Sequence, residues 1–377
     1  MSVPFKIKKA TPFPDTIFQH AAFTWKDNIF VWGGRSGRVL NSYNDRSVVY
    51  MYHQGEWIRK QTTGDVPQGY HSAASQVTND RLFVVDLDRI SALDLNTWTW
   101  SRFFPSGIQL SSQSSGVQSW VHNGKIYLLD DWFDDIYMHL CCYNVEDNSL
   151  EWTDHEGDIP DFEYGRKAIL HGDTVILLSD KANALYTLDI TSMRWKKAYE
   201  DLPSAVAPRR FQRCTFTKIS QSTAVLFGAY EDTSGIFHDD CGLLNLDNVV
   251  QFKDSSTIWK KFPCRFLRVS HGAVWDRGGQ ELWVIGGSNG KNWVSDVLRV
   301  SFKLPTLKTL ALDYAARNIC KSDPRLSDDQ LPVQVRNELV EYKSDFGVDW
   351  LTHILHGCVP SGKCKCKLLV QRKKEVP

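Results

Sequence analysis

Nowhere in its 377 residues does this chain hold a run of 18 apolar residues, so no membrane-spanning helix is expected. The opening stretch MSVPFKIKKATPFPD lacks the apolar core of a secretory signal, and a protein that is not secreted is expected. Net charge is missing as well: 44 Lys and Arg balance 44 Asp and Glu. A general binder of nucleic acid or of membrane surfaces would be clearly basic, so neither is expected as a partner. The nine cysteines are odd in number and scattered. Outside a secretory context they read as reduced thiols, several of them buried, which places the chain in the cytoplasm or nucleus. Signatures of catalysis are absent too. There is no G-x-S-x-G elbow, Walker loop or H-E-x-x-H, and no set of His and Tyr at matched loop positions. A non-catalytic protein without a cofactor is the expectation.

What the chain does hold is a repeat. Hydrophobic residues make up 42%, enough for a sizeable core, and 14 tryptophans recur at intervals. HAAFTWKDNIFVWGGRSG (20–37) sets the pattern: a His, an apolar strand, a turn at Asn28, then IFVWGG. A variable loop follows, then SVVYMYHQGEWIRKQ, a strand ending near Trp57. The pattern returns at 271–302 as HGAVWDRGGQELWVIGGSNGKNWVSDVLRVSF. Copies between them end near Trp100, Trp152, Trp195 and Trp259, so the five closing tryptophans stand 43, 52, 43 and 64 residues apart. That is the length of a four-strand propeller blade with loop insertions. Each closing Trp is read as packing between blades and is assigned no chemistry. Gly33–Gly34 and Gly286–Gly287 end a strand in the first and last copies, where the middle copies have VVD, LLD, LLS and FGA. Losing those glycines should alter the turns and keep the blades, because the alternating apolar strands persist.

With a His or Arg opener, a Gly pair and a closing Trp, the repeat resembles the kelch repeat over roughly residues 16–303. The resemblance implies an all-β domain, a six-bladed kelch β-propeller over residues 1–304. The sixth copy has no closing Trp strand, and PFKIKKATP (4–12) is expected to supply it. An open array would otherwise leave bare sheet edges.

After Leu304 the periodicity becomes helical. LKTLALDYAARNICKS, DQLPVQVRNELVEYKS and DFGVDWLTHILHG are three helix candidates within 305–357, and residues 358–377 form a basic tail. TLKTLALDYAARNI resembles the BC box of elongin-binding proteins such as the von Hippel–Lindau protein. Thr306, Leu307, Ala311 and Ala315 fall on the box positions, Leu307 as the knob. Ala311 stands where Cys is usual, and Ala315 is smaller than the usual aliphatic. A second register uses Thr309, Leu310 and Tyr314 but puts Asn318 on an aliphatic position. LPVQVRNEL resembles a cullin box of the cullin-2 kind through Leu331, Pro332, Val335 and Leu339. Propeller, BC box and cullin box in that order look like the kelch-domain substrate receptors of cullin-2 ubiquitin ligases. The resemblance implies elongin B/C and cullin-2 as partners and a protein or peptide substrate on the propeller. A plain kelch scaffold, with the helices only bracing the domain, is the alternative.

Receptors of that group hold a substrate's terminal carboxylate with an Arg pair and a Ser–Trp opener. Here LLSDKANALY offers Lys181 and no Arg, and PRRFQR has Arg210 and Phe211, so that clamp is not carried over. Arg35, Arg166, Lys181 and Arg210 could rebuild an anionic pocket, with Tyr70, Trp132, Tyr230 and Trp293 as its walls. Peptide specificity different from the Gly-end readers is therefore expected. One further cluster, His353, His356, Cys358, Cys364 and Cys366, lacks the spacing of a standard zinc finger and reads as helix histidines and tail thiols.

Overall fold

In a computed structural model of the chain, the described residues are 5–37, 44–67, 75–86, 89–107, 117–130, 138–160, 167–179, 184–200, 202, 213–231, 236–238, 240–263 and 266–302. Nearly all of them fall in one compact unit, Ile7–Ser301. Six of its eight sheets are blades with four antiparallel strands, one for each copy of the repeat, and the other two are two-stranded. In blade 1 the strands run from inside out as Ala21–Trp25, Asn28–Trp32, Val48–His53 and Glu56–Gln61. Blades 2 to 5 repeat that order, and the sixth takes its outermost strand, Phe5–Ala10, from the start of the chain. The innermost strands are Ala21–Trp25, Ser75–Thr78, Gln118–His122, Lys167–His171, Thr215–Lys218 and Gly272–Asp276. Each touches the next, and the last touches the first, so the ring is closed. Closure leaves no inner edge to pair with another chain.

Hydrophobic cores lie between blades. The period-2 alternation of each strand sends successive side chains to opposite neighbours. Leu82 and Val84 join Phe30, Trp32 and Val49 of blade 1, whereas Phe83 faces Ile126, Leu128 and Tyr143 of blade 3. A strand buried on both faces reads as a continuous apolar run, as RLFVV and TVILL do. Trp100 and Trp195, 2% and 1% exposed, close the cores of blades 1–2 and 3–4.

Trp152 does not. It is 43% exposed and tilts over His139 at 5.1 Å. Leu150, opposite Tyr143, holds the place that Trp100 takes opposite Leu93 and Trp195 takes opposite Leu188. The blade 3 core is thus closed by a fully buried leucine, and the tryptophan lies two residues beyond it, at the end of the strand. The turn assigned to Asn28 lies at Lys26–Asp27, both left-handed, as a two-residue hairpin requires, and Asn28 opens the next strand.

In blades 2, 3 and 4, which lack the Gly pair, the strand runs on, whereas in blade 5 Thr223–Phe227 stops at Gly228, with φ of 76°. Asp86 pairs with Arg89, Asp130 with His139 and Ser179 with Ala184, beyond the point where Asn28–Trp32 stops. The preserved blades expected from the sequence are present, and the turns at 87–88, 131–137 and 180–183 lie outside the described residues. Blade 5 spends its extra length on a hairpin, Ala229–Glu231 with Ile236–His238, and on two short helices, Leu246–Val250 and Ser255–Ile258. Asn245 and Asp254 cap these helices by accepting from the amides of Asn248 and Ser256.

Blades 2, 3 and 4 each gain a fifth, parallel edge strand from the chain that leaves the preceding blade: Thr63–Gly64, Ser106–Gly107 and Glu156–Gly157. Gly64 and Gly157 have φ of +82° and +98°, and a Cβ on either would run into the carbonyl oxygen of Trp100 or Trp195.

Candidate functional site

At the meeting of blades 5, 6 and 1 the ends of the second strands and the leads into the first strands lie on one face of the propeller. The residue before each opener has a left-handed backbone there: Arg213, Ser270 and Gln19, with φ of 55°, 53° and 53°. These three link across the blades, Gln19 N–H donating to Ser270 O at 3.1 Å and Ser270 N–H to Arg213 O at 2.8 Å. The strained backbone is held by ring closure itself. It also puts Cys214 in blade 5 at the place of His271 in blade 6 and His20 in blade 1.

Both histidines are buried, each 6% exposed. Each lies against the second glycine of its own blade: a Cβ on Gly34 would stand 2.7 Å from His20 Cβ, and one on Gly287 would stand 2.8 Å from His271 Cβ. The second glycine is required by the close approach of the opener's backbone: the same Cβ would also stand 2.8 Å from Phe18 O in blade 1 and 2.5 Å from Val269 O in blade 6.

Each ring then reaches into the preceding blade. His271 Nε2 lies 2.8 Å from Thr215 Oγ1, with the ring edge-on to Phe227. His20 reaches the equivalent residue of blade 6, which is Gly272, and a Cβ there would run into His20 Nε2. Thr215 and Gly272 are both first in their innermost strands. Blade 6 thus offers no side chain where blade 5 offers a hydroxyl, and neither nitrogen of His20 has a hydrogen-bond partner among the described residues. Burial drops the pKa of both rings to about 3. For His271 the charges of Arg268, His20 and Lys167 push in the same direction. Both imidazoles are neutral at pH 7.

An ionic cluster flanks the pair. The Arg268 guanidinium, 4% exposed, meets Asp296 Oδ2 at 3.1 Å and donates to Leu267 O at 2.9 Å. Lys9 reaches the same carboxylate oxygen at 3.1 Å. Above it, Phe18 and Trp293 stack with centroids 3.8 Å apart and planes 15° apart.

Of the residues selected from the sequence, Arg35 and Trp293 meet around Phe18: Arg35 pairs with it in a short antiparallel ladder, and Trp293 stacks on it. Trp293 also lies against Gly37, where a Cβ would strike its own. Tyr230 sits in the blade 5 hairpin, in register with Phe237. Tyr70, Trp132, Arg166, Lys181 and Arg210 lie outside the described residues. So do Thr306, Leu307, Ala311, Ala315, Leu331, Pro332, Val335 and Leu339, and the His353–Cys366 cluster. His20, His271, Arg268 and Asp296 were not selected. Their signal in the sequence was the coincidence of a His opener with a Gly pair in the first and last copies alone.

On the opposite face a cavity of about 470 Å³ opens between blade 4 and the helical insertion of blade 5. Its acids are already engaged: Asp189 accepts from the amides of Thr191 and Ser192, and Asp158 from that of Lys197. Lys196 lies 3.7 Å from the centre of the Phe252 ring on its wall. Among the described residues no group of three or more His, Cys, Asp or Glu is placed to hold a metal, and no helix is long and apolar enough to cross a membrane. Cys141, Cys142, Cys214 and Cys241 form no disulfide.

These features define a closed six-bladed β-propeller. No known protein family matches the sequence, and no curated protein does. Among solved structures the chain is similar to YjhT, with a TM-score of 0.57 at 13% identity over 78% of this chain and 97% of that one. At that identity the likeness concerns the fold.

Proposed function

We propose that the chain is a non-catalytic interaction module that acts as the substrate-recognition subunit of a cullin-RING ubiquitin ligase. The propeller binds a peptide segment of the substrate on its loop face. The C-terminal segment binds elongin B/C through Thr306, Leu307, Ala311 and Ala315, and cullin-2 through Leu331, Pro332, Val335 and Leu339. The observation that supports this reading is the order of parts in the sequence: six blade repeats, then a BC-box-like segment, then a cullin-box-like segment. The closed ring is consistent with it, since a rigid propeller can present loops from every blade on one face. Unlike the receptors it resembles, this chain lacks their Arg pair in the blade 4 loop, so peptides ending in Gly are not its ligands.

Co-expression with elongin B/C tests the reading. The intact chain should co-purify with elongin C, and Leu307→Asp should abolish co-purification without lowering the melting temperature of the propeller. Absence of any complex, or a complex indifferent to Leu307→Asp, leaves a plain kelch scaffold as the function.

A further inference from the structure

The meeting of blades 5, 6 and 1 collects cations in a buried place. His20 and His271 are buried there, with Arg268 beside them and Lys167 near enough to act on His271. The carboxylate bonded to Arg268, Asp296, is shared with Lys9. Arg35 pairs with Phe18, two residues from His20, and Asp15 in the same lead-in is taken up by the Thr16 amide and the Ser36 hydroxyl. Every charge that acts on His271 is positive. A proton on His20 would find no acceptor at either nitrogen, and a proton on His271 would sit among Arg268, Lys167 and His20. Charging either ring in place therefore costs its full desolvation with no counter-ion to offset it. The alternative is to swing the ring into water, which withdraws it from the adjoining blade.

We propose that the junction of blades 5, 6 and 1 is an acid-operated latch. Protonation of His20 and His271 releases the two rings and loosens the loop face of these three blades, while blades 2 to 4 stay closed. The innermost strands of blades 3 and 4 do carry histidines, but His122 and His171 face carboxylates of the next blade, Asp173 at 3.6 Å and Asp247 at 2.9 Å, so a proton there has a counter-ion. Gln76 donates to Ser119 O and Oγ, and the Ala168 amide donates to Gln118 Oε1. Neither responds to pH in the relevant range. The inference rests on the described residues alone and stands whether or not the chain serves a ubiquitin ligase.

Hydrogen exchange of the full chain, read by mass spectrometry at about pH 7 and about pH 5 and corrected for intrinsic rate, tests it. The folded-state pKa lies far below 6.5, so each ring raises the opening equilibrium by up to tenfold for each pH unit below 6.5. Protection over 16–37 and 266–296 should fall at least about tenfold more than protection over 167–199. In His20→Gln/His271→Gln that difference should vanish. An equal loss in every blade, no loss, or the same local loss in the double variant would each overturn the latch. If the double variant does not fold, ring titration by NMR on the unaltered chain decides: His20 and His271 titrating near the ordinary histidine value in an intact fold would refute it.

Discussion

His271 Nε2 and Thr215 Oγ1 lie 2.8 Å apart across the join of blades 5 and 6, and the same contact across the join of blades 6 and 1 has no hydroxyl to meet His20. The two joins are otherwise built alike, through the backbone bonds that link Gln19, Ser270 and Arg213. Removing the one hydroxyl should therefore make the first join resemble the second. Thr215→Val keeps the shape and leaves His271 with both nitrogens unpartnered. A loss of about 1–3 kcal/mol is expected from the buried group left unmade. Urea unfolding checks it, and the midpoint should move without a change in slope.

The two buried histidines also set the acid side of the stability curve. In the folded chain both have pKa values near 3, against 6.5 for an ordinary His. The unfolded chain binds the protons first, so stability is fully present above about pH 6.5, falls as pH drops from there toward 3, and levels off below. Each ring contributes a slope of up to about 1.4 kcal/mol per pH unit. Denaturation midpoints between pH 7 and 4 should show it, and His20→Asn should remove about half of the slope.

Core closure in blade 3 gives a sharp contrast between neighbours. Trp100→Ala in blade 2 should cost about 3–5 kcal/mol, and Leu150→Ala in blade 3 about 2–5 kcal/mol. Trp152→Ala, at a half-exposed strand end, should cost less than about 1.5 kcal/mol. Thermal unfolding of the three variants checks the order.

Gly34 should be irreplaceable for two separable reasons. It has φ of +80°, and a Cβ there would stand 2.7 Å from His20 Cβ. Gly34→Ala is expected to destabilise by about 1–3 kcal/mol, and Gly33→Ala, which has the same hand of backbone but open space, by less. A His20→Gly background removes the contact with His20 Cβ but keeps those with Phe18 O at 2.8 Å and His20 Cα at 3.1 Å, so a double-mutant cycle should recover only part of the cost.

Much of this was legible in the chain. Runs such as RLFVV and TVILL, turn signals between them and tryptophans at blade spacing are local features, and six blades follow from counting them. The join was less legible because its parts are far apart in sequence. Gly272 matters to His20 only when blade 6 is laid against blade 1, and Asp296 meets Lys9 across 287 positions. The error at Trp152 has the same origin. Spacing along the chain cannot tell residue 150 from residue 152, since both point to one side of the strand, and only the pairing with Tyr143 selects the leucine.

By itself, the sequence determined that the chain makes blades and how many, because strand alternation acts over a few neighbouring positions. The tertiary structure alone decided which openers are buried, which tryptophan is left outside, and that His20 goes without a partner. Those outcomes depend on what the adjoining blade presents at one place, and closing a ring brings together residues that no local pattern connects.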